Sequence, residues 1–160
     1  MWRHGKHWKI SISRKRYGQS VSAIFLPHHL NNLLERTSIT PMVNQLEFHP
    51  GYMQKAAVDF CKQTGIQVEA WSPIGRARVL KEPLLMELAE KYQVSVAQIC
   101  IRFALQCGVL PLPKSSSGER MHQNLDVFGF DIEENDMYQL MTLPQIGWSG
   151  EHPDRERVRF

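Results

Sequence analysis

No stretch of this 160-residue chain approaches the ~18 consecutive apolar residues that a membrane-spanning helix needs. The N-terminus is basic but lacks both an apolar core and a small-residue cleavage site, which excludes a secretory signal. Cysteine is scarce: Cys61, Cys100 and Cys107 are odd in number and lack metal-ligand spacing. That excludes a disulfide scaffold and predicts buried free thiols in a reducing cytosol. No acid occurs before Asn31, whereas Arg3, Lys6, Lys9, Arg14, Lys15 and Arg16 all do. Setting these six aside leaves 13 of the 19 basic residues against 16 acidic ones. The net charge of +3 therefore belongs to the first two dozen residues, and the remainder is mildly acidic.

Residues 1–24 show neither helical nor strand periodicity. With Trp2, Trp8 and Tyr17 they read as a basic arm of the kind that meets nucleic acid or an acidic membrane. From Leu26 the texture changes. Pro27 can open a helix whose stripe is Leu30, Leu33 and Leu34. Met42 to Phe48 reads as a short strand interrupted by Asn44 and Gln45, buried amides that need a structural partner or a ligand. After the turn His49-Pro50-Gly51, residues Ala56, Ala57, Phe60 and Cys61 mark a helix that Gly65 stops. Ile66 to Trp71 is the next strand, and the turn Ser72-Pro73-Ile74-Gly75 follows it. Leu84, Leu85, Leu88, Ala89 and Tyr92 give a third helix, and Ser95 caps a fourth with Val96, Ile99, Cys100, Phe103 and Ala104 on one face. A last short helix is predicted over 136–143, followed by a polar tail.

Gly108-Val109-Leu110 reads as a strand leading into Pro111-Leu112-Pro113-Lys114 and a run of serines. Arg120 and Asn124 stand one helical turn apart, so they share a face. Cations and hydroxyls at a strand end, above a helix start, suit a phosphate. The same residues also read as a solvated loop with a Ser/Gly turn. Helices alternating with about three short strands predict parallel βα units. A full (β/α)8 barrel takes ~250 residues, so the chain reads as part of one.

Several of these stretches together resemble the aldo-keto reductases. They are Val43-Asn44-Gln45-Leu46-Glu47-Phe48-His49-Pro50, Ala70-Trp71-Ser72-Pro73-Ile74-Gly75, Ala97 to Phe103, and Leu112 to Phe128 with Lys114, Ser115, Arg120 and Asn124. The wording is similar to bacterial 2,5-diketo-gluconate reductases. The resemblance implies an α/β fold that is the C-terminal half of a (β/α)8 TIM barrel, about strands six to eight with their helices and tail. It sets the domain at 25–150, between a non-native stretch at 1–24 and a polar tail at 151–160. It also implies NADPH as cofactor. Gln45 would bond the nicotinamide carboxamide, Trp71 would stack on the nicotinamide, and Ser72 would line the pyrophosphate. Lys114 and Ser115 would meet the 2′-phosphate, while Arg120 stacks on the adenine and Asn124 bonds it. Gln123 replaces a frequent Glu, and Trp148 would reach substrate. No residue matches the family's catalytic Asp, Tyr, Lys and His motifs.

The family phrase before Leu26 would be A-I-G-V-S-N-F, and this chain has Gln19 to Phe25 instead. Permitted codons for these residues regroup in the neighbouring frame to that phrase, preceded by an amphipathic helix. The stretch 1–24 is therefore predicted to be out of frame, with the family's Ser-Asn pair replaced at Ala23 and Ile24. The expected parent is a cytoplasmic, NADPH-dependent reductase of small aldehydes or ketones, without nucleic-acid or membrane partners. The chain itself is expected to be an inactive, self-associating fragment, or alternatively a non-catalytic module with weak NADP(H) affinity.

Overall fold

The computed structural model describes residues 21–154. The basic arm with Trp2, Trp8 and Tyr17, most of the shifted-frame stretch and the end of the tail lie outside the described residues. Among the described residues the strands are β1 (Val21–Ala23), β2 (Val43–Glu47), β3 (Gln67–Trp71) and β4 (Leu110–Leu112). The helices are α1 (Pro27–Arg36), α2 (Lys55–Gln63), α3 (Pro83–Tyr92), α4 (Val96–Gln106), α5 (Gly118–Leu125) and α6 (Glu134–Met141). A 3-10 turn occupies Gly75–Ala77. Among the described residues two compact units emerge: one holds 21–46, Lys55–Val68 and 152–154, and the other holds Glu47–Gln54 and Glu69–Glu151.

In the first unit β1 lies parallel to β2, with Ser22 opposite Asn44 and Ala23 opposite Gln45. Gln67 starts β3 beside them by donating its N–H to the Met42 carbonyl at 2.9 Å. Asn44 is fully buried, and its amide is spent on the fold. Its Oδ1 accepts from Ser22 Oγ at 3.1 Å and from the Phe25 N–H at 3.3 Å. Its Nδ2 donates to the Phe25 carbonyl at 2.9 Å and toward Cys61 Sγ at 3.5 Å. The structural partner, rather than a ligand, is the answer for this residue. Helix α1 packs on α2, with Leu30 on one side and Ala57, Val58 and Cys61 on the other buried.

In the second unit β3 and β4 pair in parallel, Glu69 with Leu110 and Trp71 with Leu112. Pro111 sits inside β4 without a donor, a position that edge strands tolerate. Helices α3 and α4 pack together through Leu85, Leu88, Ile99 and Phe103, all buried. Burying each such side chain contributes about 1.5–3 kcal/mol. The Phe103 ring stacks on Phe48 at 5.8 Å. The Ser95 cap forms as expected: its Oγ accepts from the Gln98 N–H, and Gln98 Oε1 accepts in turn from the Ser95 N–H at 2.9 Å.

Three expectations need correction. The sheet has four strands, not three, because β1 falls in the stretch that shows no periodicity. The strand expected at Gly108–Leu110 begins two residues later. Gly108 at φ +72 is still closing α4, and the Val109 N–H returns to the Ala104 carbonyl at 2.9 Å. The last helix is Glu134–Met141, two residues earlier than periodicity placed it.

Candidate cofactor-binding site

Parallel pairing that sets Trp71 opposite Leu112 brings the carboxyl ends of β3 and β4 side by side. The loops leaving those ends carry most of the expected site residues, at the place where open α/β sheets bind ligands. After β3 the backbone enters the left-handed region at Ser72 (φ +50), Gly75 (φ +54), Arg76 (φ +51) and Ala77 (φ +67). Non-glycine residues held there carry strain, a device that clusters at ligand loops. The Ser72 carbonyl accepts from the Gly75 N–H at 2.8 Å, which closes the turn.

The Arg76 guanidinium lies 5.2 Å from the centre of the Trp71 ring. One face of the indole is thus occupied by a cation, so the expected stacking partner would need the other. Trp71 Nε1 is buried and has no hydrogen-bond partner among the described residues, which leaves its desolvation without offset there.

After β4, Lys114 is exposed and Ser115 half-buried. Ser115 Oγ accepts from the Ser117 N–H and donates to the Ser117 carbonyl, both at 3.2 Å. Ser117 in turn caps α5 by accepting from the Arg120 N–H at 3.4 Å. Arg120 is exposed and Asn124 half-buried on α5. Among the described residues neither Lys114 nor Arg120 enters an ion pair. The result is two available cations, a serine-capped helix start with its partial positive charge, and an amide one turn on. That set fits a phosphate and an adjoining planar base.

Gln45 belongs to the other unit, on β2, where its carbonyl accepts from the Ile24 N–H at 2.7 Å. The positions expected to hold the family's Ser-Asn pair are Ala23 and Ile24, which have no polar side chain to offer.

One arrangement in the second unit went unread in the sequence. Glu47 is buried to 1% exposure. Its Oε1 accepts from the Ser149 N–H at 3.0 Å and its Oε2 from the Ser149 hydroxyl at 2.7 Å. His49 Nε2 stands 3.6 Å from Oε1. Burial opposes ionisation of this carboxyl, but the contacts from His49 and from the hydroxyl and N–H of Ser149 outweigh it and hold the pKa below the ordinary carboxylate value. Around this rivet the Ile146 N–H donates to the Gly51 carbonyl at 3.1 Å, and Arg78 donates to the Trp148 carbonyl at 3.1 Å. The Trp148 ring stacks on Tyr52 at 6.0 Å. The only hint in the sequence was an acid inside an apolar strand.

The model of the aldo/keto reductase family matches residues 4–143. The chain belongs to the aldo/keto reductase family. It is 44% identical over 130 residues to a glyoxal reductase of Bacillus subtilis (strain 168), covering 81% of this chain and 47% of that protein. It is 34% identical over 153 residues to the methylglyoxal reductase DkgA of Salmonella typhimurium (strain LT2), covering 92% and 56%. Among solved structures, apo Gox0644 superposes with a TM-score of 0.89 at 33% identity, covering 97% of this chain and 59% of that one. A variant of Gox0644 with NADPH bound gives 0.82 at 34%, covering 86% and 51%.

The chain thus spans about half the length of the curated relatives it matches. Family members bind NADPH or NADP, and their fold is the parallel α/β arrangement seen here. The placement of the resemblance as a C-terminal half starting at residue 25 is corrected. The family match starts at residue 4, in the N-terminal region of the chain, and β1 joins the sheet before residue 25. Among the described residues no helix is long and apolar enough to cross a membrane.

Proposed function

We propose that Lys114, Ser115, Arg120 and Asn124 form the adenosine 2′-phosphate end of an NADP(H) site, with Trp71 and Ser72 toward the nicotinamide and pyrophosphate. The carrying observation is that Lys114 and Arg120, which flank the serine-capped start of α5 in the chain, are exposed and enter no ion pair among the described residues. When bound, NADPH supplies a hydride. The chain's own residues neutralise the phosphate, orient the base and, through Ser72 and Trp71, wall the ring.

The whole protein would reduce a small aldehyde or ketone, and relatives named glyoxal and methylglyoxal reductase favour a short aldehyde with a second carbonyl. These 160 residues alone would bind without turnover, since none matches the family's catalytic Asp, Tyr, Lys and His motifs. The free thiols of Cys61 and Cys100, both buried, suit a reducing cytoplasm.

The test is calorimetric titration with adenosine 2′,5′-bisphosphate against adenosine 5′-phosphate. The 2′-phosphorylated ligand should bind more tightly, and Lys114→Ala with Arg120→Ala should weaken it by about tenfold or more while sparing the other, a loss of about 1.4 kcal/mol per decade. Equal binding of both nucleotides, unaffected by the substitutions, would remove the reading.

A further inference from the structure

Helix α1 opens with two consecutive histidines, and the tail returns an aspartate to them. His28 Nε2 lies 3.1 Å and His29 Nε2 2.9 Å from the same oxygen, Asp154 Oδ1. The three ligand-type atoms all fall within 4.8 Å of one another. The two rings are 3.9 Å apart at 42°. The Asp154 N–H donates to His152 Nδ1 at 3.2 Å, which fixes the backbone that presents the carboxylate. His28 is 55% exposed, His29 25% and Asp154 42%, so an ion from solvent can reach the cluster. All of these residues lie in the first unit. Nothing in the cofactor reading uses them.

We infer that His28, His29 and Asp154 form a binding site for a divalent transition-metal ion of the zinc class. Two imidazole nitrogens and one carboxylate oxygen are the donor set that borderline-soft ions take, whereas magnesium and calcium prefer oxygen alone. Ligand bonds near 2.0–2.1 Å place neighbouring donors of a tetrahedral site about 3.3 Å apart. The two observed nitrogen–oxygen separations need to open by only a few tenths of an ångström to admit the ion. Three protein ligands leave the fourth position to water.

His29 carries a constraint of its own. Its Nδ1 accepts from the Leu26 N–H at 3.1 Å, so the neutral ring keeps its proton on Nε2. Metal ligation through Nε2 moves that proton to Nδ1 and gives up the bond from Leu26. Occupation of the site therefore reports itself at the Leu26 amide, while the ion joins the start of α1 to residue 154, 126 positions away.

The experiment uses the untagged full chain, titrated with Zn²⁺ and with Mg²⁺, followed by a competing zinc indicator and by the visible bands of tetrahedral Co²⁺. One Zn²⁺ should bind per chain at micromolar concentration, Mg²⁺ should not compete, and the Leu26 amide resonance should move. His28→Gln and Asp154→Asn should each weaken binding by roughly tenfold or more, with unchanged far-UV circular dichroism showing that the fold persists. His122→Gln, outside the cluster, should leave binding unchanged. Zinc uptake undiminished in both ligand variants, no uptake by the parent chain, or equal binding of Mg²⁺ would each overturn the proposal.

Discussion

Replacing Glu47 with glutamine separates the charge of the buried rivet from its shape. The carboxylate takes two bonds from Ser149, at 3.0 and 2.7 Å, in a site with 2% of its side chain exposed. Hydrogen bonds to a charged group contribute about 1.5–3 kcal/mol each, and neutral ones about 0.5–1.5. The amide can still face the Ser149 N–H with its oxygen and the hydroxyl with its nitrogen. What is lost is the charge assistance of two bonds, about 2 kcal/mol in all.

Urea unfolding followed by tryptophan emission reads this loss, since Trp148 on Tyr52 lies one residue from the rivet. Ser149→Ala should cost a similar amount, because its hydroxyl also accepts from the Glu151 N–H at 3.1 Å. The two changes together should fall short of their sum by about 1 kcal/mol, the mark of a shared interaction. The sign with pH is fixed by the direction of the shift. A carboxyl whose folded pKa is depressed stabilises fully above its ordinary value and loses that contribution as pH falls through the folded one. Glu47→Gln should flatten that part of the acid limb. A Glu47→Gln chain within about 0.5 kcal/mol of the parent, with the acid limb unchanged, would refute the reasoning.

Asp136 is buried and accepts from Lys91 and from the Tyr92 hydroxyl at 2.7 and 2.5 Å, which hold its pKa down in that order; Asp136→Asn should lower the melting temperature, and adding Tyr92→Phe should lower it by less than Tyr92→Phe does alone. Ile24 sits at φ +59, where a β-branched residue is strained. Ile24→Gly should therefore exceed Ile24→Ala in stability by about 1 kcal/mol, the reverse of the usual order, as chemical denaturation would show. Gly147 is at φ +69, and a Cβ there would meet Val79 Cγ1 at 2.6 Å and His49 Cε1 at 3.0 Å. Gly147→Ala should cost about 2–3 kcal/mol, against about 1 kcal/mol for Gly65→Ala, where the same φ class meets open space. Parallel denaturation curves of the two variants check the difference.

What could be read from the sequence was local. Ser95 and Gln98 spell a capping box within four residues, and Gly65 and Gly108 end helices by adopting the positive φ that glycine allows. Amphipathic stripes gave α1 to α4 for the same reason. The polar cation loop after β4 was visible because strand end, hydroxyls and helix cap follow one another directly. Strand β1 was not visible. It is three residues long, and its buried position is Ser22, whose hydroxyl donates to the Val43 carbonyl and toward Asn44 Oδ1. Glu47 and Ser149 are 102 positions apart, and His28 and Asp154 are 126 apart. Pairs at such separations are made by the fold and leave no period in the chain.

The Asn44 side chain also changes how a polar residue inside an apolar strand should be understood. Its amide offers one donor and one acceptor to the N–H and carbonyl of Phe25, just as a neighbouring peptide would. Where β1 ends at Ala23 and the backbone turns at Ile24, a side chain serves as one further rung of main chain. The choice of residue at 44 is thus dictated by the shape of a peptide group. Aspartate has no donor for the carbonyl, and glutamine reaches too far. Such a position is specified by the path of the backbone and would look like a binding residue to any reader of side chains alone.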